Sequence, residues 1–533
     1  MKKLYILDIK KKLKNFDFLS KIEFEKNSVL SLTPYSNYIL DERHLDYLTF
    51  KNVVSDDLFR DKILEKHQVL ENIFEKHKRY SYLIIKIAQL TNYELYLQEL
   101  FTFFDEYDEV IYITDTKNPT SLNNIVTNIE SAIYLYKNIK TIDIENIDYL
   151  FYQTEKIIFN FYTFFRKKNK LKVLLDKLKK EKLSFNYDNQ YLLDFFTNLP
   201  KKKVTCNNID KGFNNLEIEL EALVSQYILK NYFQEIVEDL KLDLEKAKTI
   251  TEVSIKPFTF LPNNSEFIKT LIFKDNNIPV VFTQHGNYLY QNMFIKYLEI
   301  IPADINLVVN NFTNKLFKKS SLNNIQNIYS NNFNLEIKKN MSKKYDYLYI
   351  LFASYPGNMN YLSDKYSLNS LDKNFLFQHH KKIIYIFGEK FSNKKFVIKL
   401  HPQMIMSGLY IPFFEIAKKY KNIRFEISEP IHSLIEKSEH IISDYFTSEF
   451  LNRNVFQKKI ILINTPTTHI PKDELENMIK LFILVENLEE IEDRIKNIDK
   501  YEICQDDELI DYYSSPKEGQ DIVEVVKKIY DLP

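Results

Sequence analysis

Two segments of this chain, Phe396-Val-Ile-Lys-Leu-His-Pro402 and Ile441-Ile-Ser-Asp-Tyr-Phe-Thr-Ser448, pass from apolar, β-branched residues straight into polar ones. A short apolar run of this kind belongs in a strand covered on both faces, which places it in a parallel sheet with helices above and below. In such sheets ligands lie beyond the carboxyl ends of the strands, where these polar groups fall. The pair therefore predicts one half of a nucleotide site.

The same alternation runs through most of the chain. Leu4 to Ile9, Val29 to Leu32, Glu109 to Asp115 and Thr141 to Ile144 read as strands, with helical spacing over Ser55 to Lys78 and Ser121 to Lys137. Leu216 to Lys246 predicts one long amphipathic helix, followed by strands at Glu252 to Lys256, Ile278 to Thr283 and Ile305 to Val309. Beyond the polar stretch Lys338 to Tyr345, strands at Tyr347, Phe396, Ile423, Ile441 and Lys459 alternate with helices, including one that starts at Thr447, and Gly519 to Tyr530 closes the chain as a helix. The pattern predicts an α/β protein with two Rossmann-like domains. Residues 1–340 would form the first, with a helical insertion at about 150–246, and residues 341–533 the second.

Composition removes several classes of function. Lys plus Arg (73) equals Asp plus Glu (73), so no global cationic field draws the chain to nucleic acid. The two cysteines, Cys206 and Cys504, are too few for a disulfide framework or a Cys-based zinc site, and they suit a reducing, cytoplasmic compartment. No run approaches the roughly 20 apolar residues that span a bilayer. The start, Met1 to Ile9, reads as a first strand and not as a signal peptide. Average usage near 7% would give roughly 37 glycines, whereas this chain has 6, and Gly286, Gly357, Gly388 and Gly408 crowd into the stretch that holds His285 and His401. Glycine kept in a glycine-poor chain marks tight turns or close approaches.

The candidate site residues follow from these positions. Pro402 fixes the turn after His401, which sets that imidazole at the sheet edge to meet a donor phosphate or ribose. Lys399 precedes it on the same strand. Ser443, Asp444, Thr447 and Ser448 lie where the next strand hands over to a helix, and helix amides with two hydroxyls make an anion pocket that needs no metal. Simple capping by Thr447 or Asp444 would use the same donors. His285, between Gln284 and Gly286, leaves a strand of the first domain and is placed to take a proton from an acceptor hydroxyl, with a buried structural role as its rival. No ligand spacing recommends a metal or other cofactor, and no GxxxxGK[ST] loop occurs.

The order Gln284-His-Gly286, Lys399-Leu-His-Pro402 and Ser443-Asp-Tyr-Phe-Thr-Ser448 resembles the bacterial CDP-glycerol glycerophosphotransferases and related capsular polysaccharide transferases and, more loosely, the bacterial sialyltransferases and polysialyltransferases. The likeness covers about residues 250–530. It implies the GT-B architecture, two Rossmann-like domains facing across a cleft, with His285 as general base and His401, Thr447 and Ser448 on the phosphates of a cytidine nucleotide. One residue is inserted relative to the usual Asp-Tyr-Ser-Ser, Gln284 stands where tryptophan often does, and the acidic base motif of the sialyltransferases is missing.

The expected function is transfer of a glycosyl group, nonulosonate-like or Kdo-like among others, or of a polyol phosphate, from a cytidine nucleotide to a hydroxyl of a bacterial surface glycan or lipid-linked glycan. Two rivals stand beside it: a sugar-nucleotide 2-epimerase, which would need cleft carboxylates, and a non-catalytic GT-B binding protein. Phe151 to Phe165, unusually aromatic and followed by Arg166, Lys167, Lys168, Lys170 and Lys172, predicts peripheral contact with an anionic inner membrane face. A helix packed in the domain with a solvated basic end is the alternative.

Overall fold

The computed structural model describes residues 2–9, 19, 22, 28–54, 56–115, 133–137, 139–143, 199–258, 261, 263–284, 295–318, 343–351, 373–400, 411–427, 429–464, 470–515 and 520–533. The fold is α/β, with parallel sheets and helices, as the alternation of segments requires. Strands β1 (Lys3–Asp8), β2 (Ser28–Ser31), β3 (Glu109–Thr114) and β4 (Ile139–Asp143) form a parallel sheet in the order β2-β1-β3-β4. Helix α1 (Pro34–Asp41) follows β2, with Thr33 accepting the Ser36 N–H at its start and Pro34 supplying a preset φ.

Helices α2 (Asp56–Lys76) and α3 (Tyr82–Phe104) pack against each other. The second is buried almost all round, so it carries no amphipathic face and its spacing gave no signal. Several of its polar residues are paired inside: Asn92 Oδ1 lies 2.8 Å from His67 Nε2, and Gln89 donates to the Tyr93 hydroxyl at 2.9 Å. Glu94 accepts the Ile228 and Leu229 N–H groups at 2.9 and 3.0 Å, which places a carboxylate at the start of the helix that follows them.

That helix marks a correction. Leu216 to Lys246 is not one helix but two, α4 (Phe213–Val224) and α5 (Lys230–Ala247). The buried Glu94 carboxylate satisfies amides at the new start, so the chain can turn where spacing alone predicts continuation. Strands β5 (Lys201–Lys203) and β6 (Glu252–Ser254) pair antiparallel. After α6 (Asn264–Asp275), capped by Asn263, come the parallel strands β7 (Val281–Thr283) and β8 (Ile305–Leu307). The aromatic segment Phe151 to Phe165 and its basic continuation lie outside the described residues.

The second lobe is a six-stranded parallel sheet: β9 (Tyr345–Ile350), β10 (Phe396–Lys399), β11 (Ile423–Glu426), β12 (Ser438–Ser443), β13 (Ile460–Ile463) and β14 (Ile483–Val485). Its order, β11-β10-β9-β12-β13-β14, is 3-2-1-4-5-6 when counted from β9, the arrangement of a doubly wound nucleotide-binding sheet. Helix α7 (Asn311–Lys318) already belongs to this lobe, with the Phe312 ring packed at a tilt on Tyr513 of α12 (Asp507–Tyr513) below. Helices α8 (Lys373–Tyr385), α9 (Ile411–Ala417), α10 (Ile431–Lys437) and α11 (Leu475–Leu481) are among those in its layers.

The lobes are joined at more than one place among the described residues. Helix α1 packs on α8 and α9: Asp41 Oδ2 accepts from Lys381 at 2.7 Å and from Gln378 at 3.3 Å, and Glu42 pairs with Lys419 at 3.0 Å. The last helix, α13 (Ile522–Tyr530), returns to the first lobe and buries Ile522, Val523, Val525, Val526 and Tyr530 in its core.

Gly388 has a packing reason. A methyl group there would meet the Tyr420 ring at 2.3 Å, so helix and ring can touch only without a side chain. Among the described residues, no helix is long and apolar enough to cross a membrane.

Candidate nucleotide site at the switch point of the second sheet

Chain order reverses between β9 and β12, because β10 and β11 lie on one side of β9 and β12 to β14 on the other. A doubly wound sheet opens a crevice at this place, outside the carboxyl ends of its strands. The register puts Lys399, Ile350 and Ser443 in one row across β10, β9 and β12. Two of the strand exits singled out from sequence are thus brought to one sheet edge, with β9 between them. His401 and Pro402 lie outside the described residues, as do His285 and Gly286.

The exit of β12 is a turn built by its own side chains. Ser443 is buried, and its hydroxyl donates to the Tyr445 carbonyl at 2.8 Å. Asp444 is 1% exposed, and its Oδ2 accepts the Tyr349 hydroxyl at 2.8 Å and lies 2.7 Å from His380 Nε2. Burial alone would push this carboxyl up. The hydrogen bond and charge of His380, helped by His379 and Tyr349, outweigh burial and hold Asp444 below the usual range. His379 Nε2 lies 3.9 Å from the same oxygen. Burial, and then the charge of His380, push that imidazole down to about 4, so at neutral pH its approach to Asp444 is dipolar and not an ion pair.

The continuation corrects the anion pocket. No α-helix starts at Thr447: two short 3-10 turns follow, Ser448–Leu451 and Arg453–Gln457. Asn452 caps the second turn through its side chain, which restarts the chain direction after a single turn. Four residues sum too few peptide dipoles for a strong N-terminal field. Thr447 is buried and accepts the Glu449 N–H at 3.4 Å, the capping role, while Ser448 is exposed.

Lys399 donates to the Ile427 and Glu429 carbonyls at 2.8 and 2.7 Å and so fastens β10 to the exit of β11. Its charge reaches Glu449, a half-buried carboxyl that burial pushes up to about 7 against the pull of Lys399. A carboxyl with that affinity for protons can donate or accept a hydrogen bond near neutral pH. In the first lobe Gln284 is 1% exposed and joins β7 to β8, its Oε1 accepting the Val309 N–H at 2.9 Å.

Spacing did not single out Tyr349, His379, His380 or Glu449. The adjacent histidines of α8 were the available signal, since two imidazoles in an otherwise apolar helical run need a polar partner when buried.

No family model matches the sequence. No curated protein matches it either. Among solved structures it is similar to the pneumococcal O-GlcNAc transferase GtfA in complex with UDP and GlcNAc, at 11% identity and a TM-score of 0.29 over 50% of this chain and 54% of that one. It is also similar to a glycosyltransferase from Rickettsia africae ESF-5, at 12% identity and a TM-score of 0.29 over 79% and 85% of the two chains. A UDP-GlcNAc 2-epimerase from Methanocaldococcus jannaschii follows, at 12% identity and a TM-score of 0.24 over 99% and 100%. The match spans about half the length of the pneumococcal enzyme.

Proposed function

We propose that the protein is a GT-B transferase that moves a glycosyl or polyol-phosphate group from a cytidine nucleotide to a hydroxyl of a bacterial surface glycan. The observation that supports it most is the 3-2-1-4-5-6 parallel sheet with the Ser443 to Ser448 turn at its switch point and Lys399 in the same row. In this reading the donor phosphates lie over the exits of β9, β10 and β12. The exposed Ser448 hydroxyl and the His401 imidazole bind them, Lys399 contributes positive potential, and Ser443, Thr447 and Asp444 hold the turn in shape.

Transfer is an inverting displacement. His285, with Gln284 and Gly286 beside it, takes the acceptor proton, the acceptor oxygen forms the new bond, and the donor bond to phosphate breaks with its electron pair leaving on the nucleotide. The leaving group is a phosphate that His401 can protonate or pair with, so the reading routes no step through a metal. Attachment to the inner membrane face, if the acceptor is lipid-linked, would use Arg166 to Lys172.

The test incubates the full chain with CMP-, CDP-, UDP- and GDP-activated donors and reads free nucleotide. Release from a cytidine donor, lowered by about 10²–10⁴ in His285→Ala with donor binding kept, supports the reading. Donor binding without turnover on any acceptor would make the chain a binding protein, and release confined to UDP or GDP donors would remove the cytidine assignment.

A further inference from the structure

Behind the turn that ends β12, side chains from two elements converge on one point. His379 and His380 are consecutive in α8, Asp444 follows β12, and the ligand atoms of all three lie within 4.8 Å of one another. All three are buried, at 7%, 1% and 1% exposure. We propose that this trio binds a divalent transition-metal ion, zinc first among them, as a structural tie between α8 and the exit of β12.

The donor set decides the class of ion. Two imidazole nitrogens and one carboxylate oxygen suit zinc and its neighbours, whereas magnesium and calcium call for oxygen throughout. The spacing agrees. A tetrahedral ion with bonds of about 2.0–2.1 Å holds its ligand atoms roughly 3.3 Å apart. Asp444 Oδ2 stands 2.7 Å from His380 Nε2 and 3.9 Å from His379 Nε2, on either side of that figure. To reach that figure the Asp444–His380 pair would open by about 0.6 Å and the Asp444–His379 pair would close by about as much. The Tyr349 hydroxyl, 2.8 Å from the same oxygen, orients the carboxylate as the hydrogen-bonded partners of metal-ligating carboxylates do.

Position gives the ion a use. Three residues of one helix, Gln378, Lys381 and His380, reach in two directions, the first two to Asp41 of the first lobe and the third to Asp444 at the switch point. An ion on His379, His380 and Asp444 would fix the switch-point turn to the helix that carries the contact between lobes. The site is independent of the transferase reading, because metal content is measured with no substrate present.

The experiment uses the full chain, expressed with zinc in the medium and purified on a tag that contains no histidine. Elemental analysis by mass spectrometry is expected to find stoichiometric metal, falling to background in His379→Gln, His380→Gln and Asp444→Asn. Stripped protein titrated with Co²⁺ should develop the visible bands of a tetrahedral site. Tyr349→Phe should keep the ion with affinity lowered by about 10–100-fold. Should the ligand variants fail to fold, the wild-type cobalt spectrum decides alone. Wild-type protein that carries no metal and takes up no Co²⁺ overturns the proposal, as does metal retained in all three ligand variants; the trio is then a hydrogen-bonded network and nothing more.

Discussion

Replacing Glu449 by glutamine should make the protein more stable at pH 8 and leave it unchanged near pH 4. The carboxyl is half-buried, and burial pushes it from its ordinary 4.5 up to about 7. Between those values the unfolded chain has released its proton while the native protein keeps it. The native state therefore binds more protons, and stability falls as pH rises from about 4.5 to about 7, then levels off. At 1.36 kcal/mol per pH unit, a rise to about 7 corresponds to at most about 3 kcal/mol. Partial exposure screens the charge, so roughly half of that is expected. Glutamine keeps the shape and never ionises, so Glu449→Gln should gain about 1.5 kcal/mol at pH 8 relative to wild type. Urea unfolding at pH 4, 6 and 8, followed by circular dichroism and by tyrosine fluorescence in a chain with no tryptophan, measures the difference. A variant less stable than wild type at pH 8 would mean that Glu449 is ionised and paired in the native protein, and a difference that ignores pH would mean that folding does not raise its affinity for protons; either result refutes the reasoning.

His380→Phe should destabilise by about 3–5 kcal/mol because it strands the buried Asp444 carboxylate, a loss visible as a lower urea midpoint. Glu94→Ala leaves the buried Leu229 N–H and its neighbour Ile228 N–H without their carboxylate, at about 2–4 kcal/mol, and should lower the thermal midpoint; an unchanged midpoint would mean that another group caps α5. Gly388→Ala forces the Tyr420 ring aside, at about 1–3 kcal/mol, and Tyr420→Ala in the same chain should recover part of that loss in a double-mutant cycle. Binding to anionic vesicles at low salt should vanish when Arg166, Lys167, Lys168 and Lys170 become Glu, at about 1 kcal/mol for each basic residue; wild-type protein that fails to sediment with such vesicles ends the membrane reading.

The strands of the second lobe were legible because each is a short apolar run between polar stops: Phe396 to Leu400 against β10, Ile423 to Ile427 against β11, Lys459 to Ile463 against β13. The edge strand β14, three residues long and with no glycine or proline at its borders, gave no such signal. Helix α3 escaped for the opposite reason, since apolar residues on every side erase the period that marks a helix. At the site, Asp444 and Lys399 could be found because strand exits are sequence features. Their pairing could not, because Tyr349 and His380 stand 95 and 64 residues from Asp444 in the chain and meet it only through the sheet order. The supposed helix at Thr447 failed on one side chain, Asn452, whose preference for capping ended it after a turn.

The return of α13 to the first lobe ties that lobe's completion to the order of synthesis. A ribosome finishes β1 to β8 more than two hundred residues before it makes Ile522 to Tyr530, yet the core around Leu4, Phe258 and Phe282 includes Val523 and Val526. During that interval the lobe presents an apolar groove with its natural occupant unmade, a surface for chaperones to guard and for neighbouring nascent chains to mispair with. A stop codon before Ile522 would leave the second sheet whole and damage the far end of the molecule, so early truncation and first-lobe misfolding should look alike in the cell.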